Sequence, residues 1–235
     1  MKKVFFTAAS LLFCLAGCTI KREVIQPNGN DFSSAILKAV PAETIAKIRD
    51  LGVPVYDGRT PPPVEGAYLI SRLYMTKSTV PNEPVKPDGF ADLKLKIYNQ
   101  NRTALTASLD TKAVDGSRVI ATSTGQGTLL SGSGNFFSLF IVLETVRPSN
   151  GSRSRTLDVY SGEITPTGIR NLQSTLFMLN DYGDPNNDLI PVNTGRAFKD
   201  NDGFSESISN FRIAAPDDES GSQLLRRTLL SADSQ

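Results

Sequence analysis

Few side chains in this sequence are of a type and spacing that would do chemistry. There is no histidine in its 235 residues. That removes Ser-His-Asp and Cys-His catalysis, His-ligated zinc and the usual general base near neutral pH. Of two cysteines, Cys14 lies inside an apolar run and Cys18 closes the stretch Leu15-Ala16-Gly17-Cys18. Asp184-Pro185-Asn186-Asn187-Asp188 sets oxygen ligands at alternate positions, as the start of a calcium loop does. Leu189, however, stands where such a loop needs its sharp-turn glycine. Asp200-Asn201-Asp202-Gly203 is similarly incomplete, and solvated turns are the simpler expectation for both. Gly125-Gln126-Gly127 and Gly132-Ser133-Gly134 lack the Lys-Ser/Thr and following helix of a phosphate loop. Tight β-turns are expected there instead. Carboxylates are plentiful, but no spacing singles out an acid–base pair. The residues therefore point to no catalytic group, no metal and no cofactor, and the chain is read as a non-enzyme.

The one strong chemical signal is at the N-terminus. Lys2 and Lys3 precede the apolar run Val4 to Leu15, and Ala16-Gly17 precede Cys18. The run is too short for a membrane span, which needs about 20 residues, but it fits a signal-peptide core of roughly 7–15. The arrangement resembles the lipobox of bacterial lipoprotein precursors. That resemblance implies cleavage before Cys18, a diacylglyceryl group on its thiol and an acyl group on its new amine. Several acyl chains hold a protein on a membrane stably, since each buried methylene adds about 0.8 kcal/mol. Thr19 occupies the place where lipoproteins kept in the inner membrane carry Asp, so the family rule implies the outer membrane. Whether the protein would face the periplasm or the cell surface stays open. Loss of the leader leaves Cys18 as the lone cysteine and excludes an internal disulfide. It also removes two of 25 basic residues, leaving 23 against 24 acidic ones. Nothing there steers the protein onto nucleic acid.

Beyond the signal peptide (1–17), the sequence divides by its periodicity. Residues 18–31 are polar and turn-rich, the composition of a flexible tether. Residues 32–63 form a helical segment and a Pro-rich connector. Phe32, Ala35, Ile36 and Ala39 have helical spacing, Pro41 opens a second helix, and Gly52 ends it. This segment is expected to pack on the end of the domain; a lid or partner-docking helix is the alternative. Pro61-Pro62-Pro63 requires extended backbone. From Val64 to Ile213 the period becomes two. Tyr68–Met75 reads as one strand and Phe90–Tyr98 as the next, with Leu93, Leu95 and Ile97 on one face. Leu105–Asp110 pairs with it across a polar link and turns Leu109 inward. Hairpins are expected for Thr128–Ser131 with Phe136–Thr145 and for Thr156–Ile164 with Ile169–Leu179. Val119–Ala121 and Gly195–Phe198 add short strands. The nearly continuous apolar run Phe136–Leu143 predicts burial on both faces. Residues 214–235 form a polar tail.

The predicted fold is all-β: an antiparallel barrel or sandwich of about seven or eight strands behind a short helical segment. Gly66-Ala67-Tyr68 opens the first strand much as Gly-x-Trp opens lipocalins, with Tyr in place of Trp, and Ile164–Met178 is similar to their late strands. From the Ile45–Gly52 helix to Gly195-Arg196, the chain resembles uncharacterised envelope lipoproteins of Bacteroides-type bacteria. The resemblance implies an outer-membrane lipoprotein whose barrel binds a hydrophobic or amphipathic small molecule. The alternative is an accessory envelope protein with a filled core that acts through protein contacts.

Overall fold

A computed structural model describes residues 30–85, 90–116, 118–146, 153–187 and 189–211, with backbone alone at 118, 120–126 and 143–146. The expected leader, Cys18, most of the tether and the tail lie outside the described residues. Two short helices come first. The Ser33 hydroxyl accepts from the Ile36 N–H at 3.3 Å and so caps α1 (Ser34–Ala39). Pro41 precedes α2 (Ala42–Asp50), where no helical N–H is needed from it, and Gly52 at φ +90° ends the segment.

Ten strands follow: β1 (Gly66–Ile70), β2 (Leu73–Ser78), β3 (Asp92–Asn101), β4 (Thr106–Asp115), β5 (Arg118–Ser133), β6 (Phe136–Val146), β7 (Arg153–Thr165), β8 (Gly168–Asn180), β9 (Gly195–Asp200) and β10 (Phe204–Ser207). All pair antiparallel. Eight of them, β1-β3-β4-β5-β6-β7-β8-β10, close into a ring because β10 bonds to both β8 and β1. The structure is therefore a closed lipocalin-like barrel and not a sandwich. The remaining two extend the seam. β2 continues β1 past a bend at Arg72 (φ +58°), β9 runs into β10 through a turn, and β2 pairs with β9.

Several local expectations need correction. The single strand Tyr68–Met75 is two strands, divided at Ser71-Arg72. Val119–Ala121 and Thr128–Ser131 belong to one strand, β5, of 16 residues. Gly125-Gln126-Gly127 is accordingly no turn. It lies within β5, where the pairing with β4 shifts register between Ala107 and Leu109 and Gly127 has φ +68°. A glycine in that conformation lets a long strand bend without leaving the sheet. In the second glycine-rich stretch the turn falls at Gly134-Asn135, while Gly132 and Ser133 remain in β5.

Alternation divides the apolar residues into two cores. Leu93, Leu95, Ile97 and Leu109 point into the barrel, as expected, and join Tyr68, Met75, Leu130, Phe137, Leu139 and Phe198 there. A second core forms outside the barrel. Phe140, Leu157, Val159, Phe177 and Ala197 face outward and are covered by Phe32, Ile36, Ile45, Ile48, Leu51, Val53 and Val55. Phe136–Leu143 is thus apolar on both faces because, through its described side chains, its two faces serve different cores. The helical segment is a strap packed on the barrel wall. The connector holds its far end: Gly58 and Gly132 exchange backbone contacts so close that a Cβ on Gly58 would lie 2.6 Å from the Gly132 oxygen.

Candidate functional site

The barrel interior differs along its length. At one end, where β1 begins and β10 ends, Val64 and Tyr68 form a floor. The Tyr68 ring folds back over Gly66, and a Cβ there would meet the Tyr68 hydroxyl at 2.7 Å. The hydroxyl donates to the Val64 carbonyl at 3.0 Å. Burial pushes the phenol up to about 12, so it remains a neutral donor. This is the physical content of Gly66-Ala67-Tyr68: the glycine makes room for the aromatic ring two residues on. Above the floor, Ile97, Leu130, Phe137, Ile169 and Leu172 are at most 1 % exposed.

Further along, inward side chains keep accessible surface. Leu73, Leu93, Thr111, Tyr160 and Ser174 retain 6–8 %, and Asp158 is half-buried. Asp158 points inward because it alternates with outward Leu157 and Val159 and stands opposite Leu176. Side chains inside a closed barrel keep such surface when they border space that a water-sized molecule can enter. Asp158, Tyr160 and Ser174 give this space a polar wall on β7 and β8. Beside it, the hydroxyls of Thr128 and Thr156 are buried without a hydrogen-bond partner. Both residues face inward, opposite Ala107 and Met178 respectively. The wall thus offers polar groups within an apolar lining, the composition of a small-molecule site.

The opposite end is held by charge. Arg196, 1 % exposed, alternates with outward Ala197 and points inward beside Phe198. Its guanidinium makes a two-pronged pair with Glu83 of the β2–β3 loop, with Nε to Oε2 at 3.0 Å. The Ser78 hydroxyl donates to the same carboxylate at 2.5 Å. Thr79 N–H donates to the Gly195 carbonyl at 3.0 Å, and Gly195 N–H returns a bond to the Thr79 hydroxyl at 2.9 Å. Leu189 and Ile190, from the β8–β9 loop, continue the interior core at this rim.

Asp200 is a second inward carboxylate, opposite Leu73. Its Oδ2 accepts from the Ser205 hydroxyl at 2.7 Å, while Oδ1 has no partner. Burial raises its acidity constant to about 6, nearby Asp202 adds to the rise, and the Ser205 bond opposes it. The calcium-like spacing resolves into turns. Asp202 Oδ1 accepts from Phe204 N–H at 2.9 Å, and Asp184 Oδ2 accepts from Leu189 N–H at 3.0 Å. Asp188 lies outside the described residues, and among those described no three His, Cys, Asp or Glu side chains gather as metal ligands. Outside the barrel, a groove of about 410 Å³ lies where the strap crosses β8, lined in part by Arg49, Tyr56, Asn171 and Gln173. No family model, curated protein or solved structure matches the chain.

The inward positions Leu93, Leu95, Ile97 and Leu109 were legible from alternation, but the polar members of the interior were not singled out. Arg196 carried a usable signal, being two residues from Phe198 on the same face. Glu83 carried none, because its partner is 113 residues away.

Proposed function

We propose that this chain is an outer-membrane lipoprotein, anchored through Cys18, whose barrel binds an amphipathic small molecule. The observation that carries the binding role is the interior gradient: a dry floor below inward residues that keep accessible surface beside a polar wall. An apolar tail would lie against Leu73, Leu93 and Leu176, with a polar group near Tyr160 and Ser174. The protein acts by holding its ligand and not by transforming it. The anchor rests on the lipobox resemblance of Leu15 to Cys18. The accessory reading draws support from the interior core, which runs from Val64 at the floor to Leu189 and Ile190 at the rim.

Native mass spectrometry of a soluble form beginning at Thr19, with organic extraction of whatever copurifies, tests the binding role. A bound lipid-like molecule, or stoichiometric uptake of added fatty acid, is expected. Empty protein that takes up neither refutes the carrier and leaves the accessory role, which crosslinking to an envelope partner then examines. For the anchor, Cys18→Ser should abolish incorporation of labelled fatty acid; retained label refutes lipidation at that residue. Protease access on intact cells decides which side of the outer membrane the barrel faces.

A further inference from the structure

The outer face of β3 and β4 places like charges together. Lys94 and Lys112 stand directly opposite one another in the antiparallel register, a placement that costs stability when nothing offsets it. Lys96, on the same face, stands opposite Asp110, whose Oδ1 accepts from the Tyr98 hydroxyl at 3.3 Å. Lys112 is only 4 % exposed, and among the described residues no carboxylate forms an ion pair with it. Burial, with Lys94 adding to it, holds its ammonium below the usual lysine range. Its closest recorded companion is aromatic: the Phe211 ring centre lies 5.7 Å from Lys112 Nζ and 5.9 Å from Lys96 Nζ. A buried ammonium facing a like charge is a site short of an anion.

Phe211 is also where the described chain stops. β10 leads out along β1, Ile208 N–H donates to the Ala67 carbonyl at 2.8 Å, and Phe211 then reaches the lysines. The sequence continues through Arg212-Ile213-Ala214-Ala215-Pro216 into Asp217-Asp218-Glu219. Those five intervening residues span up to about 17 Å. The lysines lie within about 5–8 Å of one another as cross-strand and diagonal neighbours. Reach and charge therefore match: three carboxylates, on a short lead from Phe211, beside three ammonium groups.

We propose that the Asp217-Asp218-Glu219 run of this chain's own C-terminal segment seats on the patch formed by Lys94, Lys96 and Lys112, with Phe211 as its pivot. The seated run supplies the anion that Lys112 lacks and offsets the repulsion between Lys94 and Lys112. It also covers a basic strip that would otherwise attract other anions. The assignment does not depend on what the barrel holds.

Zero-length carbodiimide coupling of the full chain, mapped by mass spectrometry on an equal mixture of light and heavy isotope-labelled protein, tests it. At low salt the expected products join Lys94, Lys96 or Lys112 to Asp217, Asp218 or Glu219 within one molecule, and they fall several-fold in 1 M salt, where charges are screened beyond about 3 Å. A separate readout is cleavage after Glu219 by a glutamate-specific protease. It should be several-fold faster in a Lys94→Gln/Lys96→Gln variant than in the wild type, with the barrel's circular dichroism unchanged. Products joining light to heavy chains would assign the patch to a second copy and overturn the proposal. Absence of these couplings at low salt, or equal cleavage rates, would overturn it outright.

Discussion

Glu83→Gln tests whether the barrel's rim is held by a desolvated ion pair. The substitution keeps shape and volume while removing the negative charge that Arg196 grips with two of its nitrogens. Arg196 is 1 % exposed and Glu83's side chain 9 %, so solvent cannot replace the lost partner. Breaking a buried pair in this way typically costs about 3–5 kcal/mol, because a charge is left buried without its counter-charge. For a domain of this size each kcal/mol lowers Tm by roughly 2–4 °C. A fall of about 6–20 °C is therefore expected in thermal unfolding followed by circular dichroism. Replacing both partners, Glu83→Leu with Arg196→Met, removes the desolvation cost together with the attraction. The double variant should recover most of the loss. Hydrogen exchange adds a positional readout: in Glu83→Gln, protection should fall at Thr79 and Gly195, whose amides tie the loop to β9. A loss below about 1 kcal/mol would place the pair among solvated surface bridges. That result would refute the argument that the rim is closed by charge.

The floor should respond to smaller changes. Tyr68→Phe leaves the buried Val64 carbonyl without its hydroxyl donor and should cost about 1–2 kcal/mol in urea unfolding. Gly66→Ala forces a Cβ against the same ring and should cost about 1–3 kcal/mol, with Gly66→Ser no better. Asp200 gives a pH signature. Its folded value of about 6 lies above the usual 3.8, so between those values the folded state holds a proton that the unfolded state has released. Stability from this group is present at low pH and is lost as pH rises through about 4 to 6, by up to about 3 kcal/mol. Asp200→Asn should therefore gain on the wild type between pH 4.5 and 7.5; an equal difference at both pH values would show that Asp200 does not titrate in that window. Ile48→Ala empties a fully buried position under the strap and should cost about 2–5 kcal/mol. A loss under 1 kcal/mol would make the strap a loosely attached element.

The sequence reveals faces more readily than junctions. Leu93, Leu95 and Ile97 alternate with lysines, and that alternation alone places them in the barrel. The strap was legible for a related reason: Ile45, Ile48 and Leu51 recur on one side of α2 and need an apolar surface, which outward Phe140 and Phe177 supply. Junctions depend on single residues that propensity does not rank. Arg72 adopts φ +58° and splits one expected strand. Gly127 bends β5 where a turn seemed natural, because pairing on both sides of the stretch outweighs the local turn preference of glycine. Ring closure itself depends on β10, a strand of only four residues, hidden behind the acidic turn Asp200–Gly203. Glu83 and Arg196 meet only once the barrel has closed, so no local pattern could have joined them.

The two ends of the barrel are held by different forces. The floor combines aromatic packing with a neutral hydrogen bond from Tyr68, neither of which salt or moderate pH changes will loosen. The rim combines Leu189 and Ile190 with the Arg196–Glu83 pair and the Thr79–Gly195 bonds, all carried by residues in or next to loops. Inward residues with remaining accessible surface lie beyond the dry layer of Ile97, Leu130 and Phe137 that rests on the floor. A molecule entering this barrel would meet that layer as a closed base and would have to part the rim. The polar wall of Asp158, Tyr160 and Ser174 lies on β7 and β8, whose outer faces are braced by the strap. Outward Leu157, Val159 and Phe177 thus tie the strap to the same strands that carry the polar wall. The helical segment therefore belongs to the binding architecture, by fixing the strands that present those polar groups, although it contributes nothing to the interior core.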